Sequence, residues 1–527
     1  MTMNPPNVRM CNEFIAYCQL LWVTRKNWYV KNPTFYSPSA NALLKANGNE
    51  CAYRFTQVPL RVPTLRIAPR DLLADDTKKM QRTDQHVLAP GTPIRSADRR
   101  GQGSIVGLLG QGGQGTVYKV QYSNRALALK WYHVPYLQAD PTLLKRLTKA
   151  IDRGAPDQRF LWPLELVYID GHASFGYLMP LRSEACVGMS ALLAPPAERV
   201  VLPLKKRIAV CLNIARSFYA LHARGFCYQD VNFGNIFLYE HTGEVLICDN
   251  DNVNIDGADA SIYGTKKFMA PEVVRRESLP NTRTDLYSMA VMFHYVIMGW
   301  HPLEGAREHA INLLSAAEEM QIYGTQPLFL FNRDDSSNGP VLPYHSAIVK
   351  RWQALSDDFR DLFHRSFEKG LTDPHQRVVE SEWIALLQSL ENAVFACSHC
   401  QFEHIVDVNA HRQAQTMRCV HCDALMRKPA VLKIGRRVCV LEDDCVVPKS
   451  MADSESTRSW QSLAIVNSHP HRADANGLRN LSELDWRATA PDETKVAVKP
   501  GESVQIMNGL RIDFGNCVGQ IIDWSSP

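Results

Sequence analysis

No stretch of this sequence approaches the ~18 uninterrupted apolar residues that a membrane-spanning helix needs. The most apolar run, residues 289–300, contains His294 and reads as a buried helix. Charge of one sign is also scarce. With 58 basic against 54 acidic residues the net charge is only +4, too small an excess to mark a nucleic-acid binder. The sequence has no internal repeat and no cysteine spacing of a disulfide framework. Four of its 14 cysteines form two close pairs and the rest are scattered, which favours reduced thiols and a cytoplasmic location. A short apolar run at 14–23 is broken by Tyr17 and Gln19, follows Glu13 and precedes no small-residue cleavage site, which argues against a secretory leader. What is present is globular. Apolar residues at 45% and charged residues at 21% exclude wholesale disorder, collagen and a coiled-coil rod. A chain of 527 residues, at ~150 per domain, implies three or four units.

The texture changes along the chain. Residues 1–87 form an N-terminal extension with no recognisable chemistry, its 74–85 stretch polar and linker-like. Strand-like runs at 105–109, 116–120 and 126–131 precede alternating helical and loop segments up to about 391. Residues 394–430 carry the cysteine pairs. Beyond 431, short apolar runs at 463–466, 495–498, 503–507, 511–514 and 520–524 read as all-β, and Asn508-Gly509 between two of them predicts a hairpin.

Between the first two strand-like runs lies Leu109-Gly110-Gln111-Gly112-Gly113-Gln114-Gly115-Thr116-Val117. Glycine lets backbone N–H groups approach phosphate oxygens with no Cβ in the way. Such a loop also opens dinucleotide-binding folds, but there a helix follows the glycines, and here a strand does. The next strand, through Ala128, ends on Lys130, placed to pair with nucleotide phosphates. Further on, Tyr228-Gln229-Asp230-Val231-Asn232-Phe233-Gly234-Asn235 follows a helix expected over 204–224 and sets an Asp and an Asn five apart. The β-run 245–249 then ends in Asp249.

With these residues the chain, from about 88 to 391, resembles the eukaryotic-like protein Ser/Thr kinase family. The resemblance implies a bilobal fold, a β-rich N-lobe to about 180 and a helical C-lobe after it. It implies that Asp230 accepts the substrate hydroxyl proton and that Asn235 and Asp249 hold Mg²⁺ (or Mn²⁺) against the phosphates of ATP. Leu109, Gly110, Gly112, Gly115, Val117, Ala128 and Lys130 would line the nucleotide, with Met179 and Leu181 in Gly176-Tyr177-Leu178-Met179-Pro180-Leu181 at the adenine hinge. Pro180 has no N–H, so Leu181 would supply the backbone donor. Three further segments occur in the family's order. Thr265, in Tyr263 to Glu272, would sit near Asp230. Glu272 would pair with Arg377. Asp285 would brace the catalytic loop.

Four departures stand out. Gln229 replaces the arginine that usually precedes the catalytic Asp and binds a phosphorylated activation loop. Asn232 replaces a lysine near the γ-phosphate. Asn250-Asp251 replaces the apolar plug after the metal ligand. The helix expected to offer Lys130 a glutamate has Asp140 as its N-cap, Pro141 as its first residue, and Leu143, Leu144, Leu147 and Ile151 as its apolar face. Its only acid is Asp152, at the far end.

Cys397-Ser398-His399-Cys400 and Cys419-Val420-His421-Cys422 give C-x₂-C-x₁₈-C-x₂-C, the zinc-ribbon spacing, with four thiolates closing a structural Zn²⁺ site. His399, His404, His411 and His421 are expected to be bystanders. Residues 431–527 resemble a forkhead-associated domain through Gly435-Arg436, Asn476-Gly477-Leu478-Arg479-Asn480-Leu481-Ser482 and Asn508-Gly509 with Ile512-Asp513-Phe514-Gly515. The segments quoted do not place the family's Ser-x-x-His element, so a docking sandwich is expected, with Arg436 as the one phosphate contact to test.

The expected architecture is therefore multidomain α+β: a bilobal kinase domain over 88–393, a zinc ribbon over 394–430 and a small all-β sandwich over 431–527. The expected function is ATP-dependent phosphorylation of Ser or Thr in a protein substrate, a signalling role. The alternative is a nucleotide-binding pseudokinase scaffold acting through its appended modules. By analogy with similar bacterial kinases, a metal-dependent phosphatase and a von Willebrand A-type protein are the expected partners, with no nucleic acid and no membrane.

Overall fold

The computed structural model describes residues 87–97, 100–256, 263–414, 416–452, 461–469 and 472–524. The extension read at 1–87 thus falls, but for Val87, outside the described residues. No helix among the described residues is long and apolar enough to cross a membrane. The described residues form two compact units, one of those within 87–139 and 165–178, the other of those within 140–164 and 179–524.

The first unit is a closed barrel of β1 (Pro93–Ser96), β2 (Gln102–Gln111), β3 (Gly115–Tyr122), β4 (Arg125–Tyr132), β5 (Glu165–Tyr168) and β6 (Phe175–Pro180), in the order β1-β2-β3-β4-β6-β5. Period-two alternation explains it. Tyr118, Val120 and Tyr122 on β3 and Leu127, Leu129 and Trp131 on β4 point into one core with Ile94, Ile105, Val167 and Leu178. The alternate residues of β4, Ala128 and Lys130, lie on the other face, in register with Lys119 and Val117.

The second unit contains helix α1 (Leu143–Arg153), whose buried face is Leu143, Leu147 and Ala150. Its start differs from the expected one. The Asp140 carboxylate accepts from the Thr142 N–H at 3.2 Å and from the Thr142 hydroxyl at 2.7 Å, and it binds Arg146, so Asp140 and Pro141 form a turn and the helix begins two residues later. Leu144, expected on the apolar face, is exposed, as is Asp152.

Helix α2 (Leu204–His222) and helix α3 (Thr282–Met298) form the centre of this unit. The start of α3 carries a reciprocal capping box between Asn281 and Thr284, and every residue from Thr284 to Met298 is buried. A strand pair fixes each flank of the loop between them. β8 (Phe226–Cys227) pairs with β11 (Asn254–Ile255), and β9 (Ile236–Leu238) lies between β7 (Val187–Gly188) and β10 (Val245–Ile247). Helices α4 (Ser346–Ala354), α5 (Asp357–Phe367) and α6 (Glu380–Leu390) complete the helical part.

Two short hairpins follow, β12 (Val394–Ala396) with β13 (Glu403–Ile405), and β14 (Met417–Arg418) with β15 (Leu425–Met426). The last region is two antiparallel sheets on a shared core that includes Leu432, Val447, Leu478, Trp486 and Ile512. One sheet comprises β16 (Val431–Ile434), β17 (Arg437–Val440), β21 (Trp486–Thr489), β22 (Lys495–Val498), β24 (Arg511–Asp513) and β25 (Val518–Ile522), and the other comprises β18 (Val446–Pro448), β19 (Ser462–His469), β20 (Arg472–Asn480) and β23 (Ser503–Gln505). The hairpin expected at Asn508-Gly509 is absent. β23 pairs with β20 and β24 pairs with β21 and β25, so these two residues carry the chain from one sheet to the other. Gly509, at φ 83°, makes a turn that serves a sheet change as well as a hairpin.

Candidate active site and four-cysteine centre

In the barrel, the glycine loop joins β2 to β3. Leu109 is exposed, and a Cβ at Gly110 would meet nothing within 4 Å. The Gly112 N–H closes the turn onto the Gly115 carbonyl at 2.9 Å. Gly115 is glycine for another reason: a Cβ there would lie 2.3 Å from the Trp131 carbonyl oxygen on β4. Lys130 is buried, and its Nζ donates to Gln114 Oε1 at 2.7 Å, tying the lysine to the loop. Gly176 on β6 backs the same strand, since a Cβ there would lie 2.5 Å from the Lys130 carbonyl oxygen. Glycines on both neighbouring strands thus let them close around the lysine's backbone, a constraint the motif spacing does not reveal.

In the second unit, Met179 is buried at the end of β6 and Leu181 half-buried just beyond it. The loop between β8 and β9 holds Asp230. Thr265 Oγ1 donates to Asp230 Oδ1 at 2.9 Å, and Asn235 Nδ2 donates to the Asp230 carbonyl at 3.0 Å. Because the Asn235 amide nitrogen is engaged, its Oδ1 is the atom left to act as a ligand. Asp249 follows β10 with φ 58°, and its Oδ2 accepts from Asn252 Nδ2 at 3.4 Å. The oxygen donors of Asn235 and Asp249 suit a hard divalent cation such as Mg²⁺ or Mn²⁺. Asn232 turns back on the loop, accepting from the Gly234 N–H at 2.8 Å.

The loop is held from beneath. Asp285, buried on α3, accepts from the backbone N–H groups of Tyr228 at 2.5 Å and Gln229 at 3.0 Å. Gln229 adopts φ 73°, a left-handed conformation of an L-residue that these bonds maintain. Its Nε2 is directed at Cys227 Sγ, 3.5 Å away. His222 at the end of α2 bridges Asp285, at 3.1 Å, and Glu380. Burial alone would lower the imidazole pKa, but hydrogen bonds to the two carboxylates outweigh it and raise it to about 9. Burial pushes the Tyr228 phenol well above its ordinary range, and the charges of Asp249, Asp230 and Asp251 push the same way, so it remains a neutral donor to the Cys248 carbonyl. At the position of the missing plug, Asn250 is fully buried and its Nδ2 donates to the Ile247 carbonyl at 3.0 Å. A buried amide therefore occupies the place expected of an apolar ring.

Arg377 and Glu272 pair through two hydrogen bonds of 2.8 Å. Beside Thr265, Lys267 reaches the buried Glu304 at 2.7 Å, and Tyr323 donates to the same carboxylate. Burial would raise the pKa of Glu304; Lys267 and His301 overcome that and hold it at about 2.

The four expected cysteines converge. Cys397 and Cys422 sulfurs lie 3.8 Å apart, Cys400 and Cys419 sulfurs 3.6 Å apart, and all four fall within 4.8 Å of one another. Those separations are far too long for a disulfide, at about 2.05 Å, and match the edge of a tetrahedron with metal–sulfur bonds of about 2.3 Å, roughly 3.8 Å. The two turns have the same construction. Gln401 and Asp423, both at φ 60°, donate to the Cys397 carbonyl at 2.8 Å and to the Cys419 carbonyl at 2.9 Å. Backbone N–H groups of Cys400 and His399 lower the Cys397 thiol pKa to about 7. His404, expected to be a bystander, is buried with Nε2 at 3.4 Å from Cys419 Sγ, and the His421 N–H points at the same sulfur from 3.4 Å. The donor set fits a zinc ion, and His404 is an outer partner of one ligand rather than a ligand itself.

Residues 178–385 match the family model described as protein kinase domain. The protein kinase YegI of Escherichia coli is 26% identical over 325 residues, covering 57% of this chain and 47% of YegI. A DNA damage-responsive serine/threonine-protein kinase, RqkA of Deinococcus radiodurans, is 25% identical over 232 residues, covering 42% of this chain and 33% of its own. The chain thus spans about half the length of YegI and a third of RqkA. Among solved structures, the PknI kinase domain of Mycobacterium tuberculosis matches at 19% identity and a TM-score of 0.39, over 57% of this chain and 98% of that one. Residues 178–385 thus match a protein kinase domain, the chain is similar to bacterial protein kinases, and beyond the match lie a cluster of cysteines able to hold a metal and a β-rich C-terminal region.

Proposed function

We propose that this chain is an active protein Ser/Thr kinase that transfers the γ-phosphoryl group of ATP to a hydroxyl of a protein substrate. The observation that carries this reading is the setting of Asp230: its carboxylate is held by Thr265, and its own carbonyl holds Asn235. A nucleotide-binding scaffold has no need of a carboxylate held in this way. Asp230 Oδ accepts the proton of the acceptor hydroxyl as its oxygen attacks the γ-phosphorus, the bond from that phosphorus to the β–γ bridging oxygen breaks, and ADP departs. Lys130 and the glycine-loop N–H groups bind phosphate oxygens and orient the nucleotide. Asn235 and Asp249 would hold the divalent cation, which when bound offsets charge developing on the phosphoryl oxygens. The four thiolates would hold one structural zinc, and the two-sheet region would dock partners, with Arg436, exposed in the Gly435 turn, as the residue to examine for phosphate contact. A cytoplasmic kinase acting beside a metal-dependent phosphatase and a von Willebrand A-type protein is the setting we favour.

The test is phosphoryl transfer from γ-labelled ATP with Mg²⁺, scoring a basic acceptor protein and self-phosphorylation. Asp230→Asn should lower transfer by roughly 10²–10⁴-fold while nucleotide binding persists. Equal incorporation by the intact chain and the variant would refute the assignment.

A further inference from the structure

The zinc hairpins are bonded to the helical part of the kinase at three places, each of which meets a need of that part. Helix α2 has Pro203 at its N-cap and no side-chain cap of its own. The Leu204 N–H, one of the four amides an α-helix leaves unsatisfied at its start, donates to Glu403 Oε2 at 2.6 Å. Glu403 lies three residues after Cys400 and immediately before His404, which contacts Cys419 Sγ. Helix α5 likewise receives no hydrogen bond from its N-cap residue Ser356, whose buried hydroxyl has no partner. Its first N–H, that of Asp357, donates to Asp407 Oδ2 at 3.2 Å. On α4, Lys350 Nζ donates to the carbonyl of His421, inside the second cysteine turn, at 3.0 Å.

Packing follows the same lines. Phe395, Cys397, Ile405, Cys419 and Met426 belong to the same apolar core as Phe359 of α5 and Trp383 of α6. Glu403 also faces the half-buried Arg207. Burial and the nearby Arg351 lower that guanidinium to about 10, and Glu403 opposes the shift. Two kinase helices thus take their N-terminal caps from acids that the cysteine centre positions.

We propose that the four-cysteine centre is a metal-dependent fastener of the kinase's helical unit, in which bound zinc fixes β13 and its flank so that Glu403 and Asp407 cap α2 and α5. Metal loss then reaches the kinase: β13 slackens, both helix starts lose their anionic caps, and α2, whose far end carries His222, is no longer held at its beginning. His404 is the positioning residue on the ribbon side, bonded to the Cys419 thiolate next to Glu403. This inference rests on the zinc reading of the four thiolates, and the experiment separates the two.

The full chain, purified without chelator, is assayed for bound zinc and for amide hydrogen exchange by mass spectrometry, before and after zinc removal under reducing conditions. We expect about one zinc per chain. On its removal, exchange should quicken roughly tenfold in the first turns of α2 and α5 as well as in the hairpins, the size expected for a lost cap. Glu403→Gln should keep its zinc yet show the quickened start of α2 alone, and Asp407→Asn that of α5 alone. Retained zinc whose removal speeds exchange in the hairpins but leaves both helix starts unchanged would overturn the linkage while leaving the zinc site standing. A chain that holds no zinc would overturn both.

Discussion

Arg377 and Glu272, 105 residues apart in sequence, meet as a planar fork on a carboxylate, with both contacts at 2.8 Å. The guanidinium is almost wholly buried, and it also donates to the carbonyls of Gly370 and Arg283, each at 3.0 Å. Arg377→Ala strands Glu272 without its cation and leaves the Gly370 and Arg283 carbonyls without this donor. Urea unfolding should show a loss of about 3–5 kcal/mol, and Arg377→Lys, which keeps the charge but not the fork, should recover only part of it. A loss below about 1 kcal/mol would show that water replaces the pair at little cost.

The clamp of His222 between Asp285 and Glu380 gives a pH dependence of definite sign. The imidazole titrates at about 9 in the folded chain, against about 6.5 when unfolded. Its contribution to stability, on the order of 3 kcal/mol, is complete below the unfolded value and declines as pH rises through about 9. Thermal unfolding between pH 6 and 10 should show this decline, and His222→Gln should flatten it. A wild-type profile as flat as that of the variant would refute the charged clamp.

Gly176 predicts an effect on nucleotide handling from outside the glycine loop. An alanine Cβ would lie 2.5 Å from the Lys130 carbonyl and 2.7 Å from Leu129 Cδ1, so β4 or β6 must shift. Gly176→Ala should cost about 1–3 kcal/mol of stability and raise KM for ATP more than it lowers kcat. Unchanged ATP kinetics would show that the strand relaxes without moving Lys130.

Gln229 has no charge to offer a phosphorylated activation segment, and its side chain is buried against Cys227. Transfer activity should therefore survive phosphatase treatment of the purified chain. A steep loss, restored by phosphorylating the segment around Thr265, would contradict this.

The candidate site was legible in the sequence where the proposed chemistry demands particular residue types at short spacing. Asp230, Asn235 and Asp249 fall within twenty residues of one another, and the two cysteine turns are each four residues long. Arg377 and Asp285 were legible only through their order along the chain. What escaped was set by contacts between distant segments. Glu403 caps a helix 199 residues earlier, and no local pattern marks it. His404 reaches Cys419 because two hairpins converge, not because of its spacing. Asn508-Gly509 was misread because a turn's residue preferences report its dihedral angles and not which sheet each flanking strand will join. Leu144 was misplaced because it stands about 100° round the helix from Leu143, off the face that Leu143, Leu147 and Ala150 share.

The closed barrel imposes an order of assembly during synthesis. Its first four strands are complete by Tyr132, but the chain then adds residues 140–164 to the other unit before β5 and β6 emerge. Until Pro180 has left the ribosome, β1 lacks β5 and β4 lacks β6, and both present open hydrogen-bonding edges. A fragment ending near residue 139 would keep the glycine loop and Lys130 yet expose two unpaired edges, and it should accumulate as aggregate rather than as a small nucleotide-binding domain.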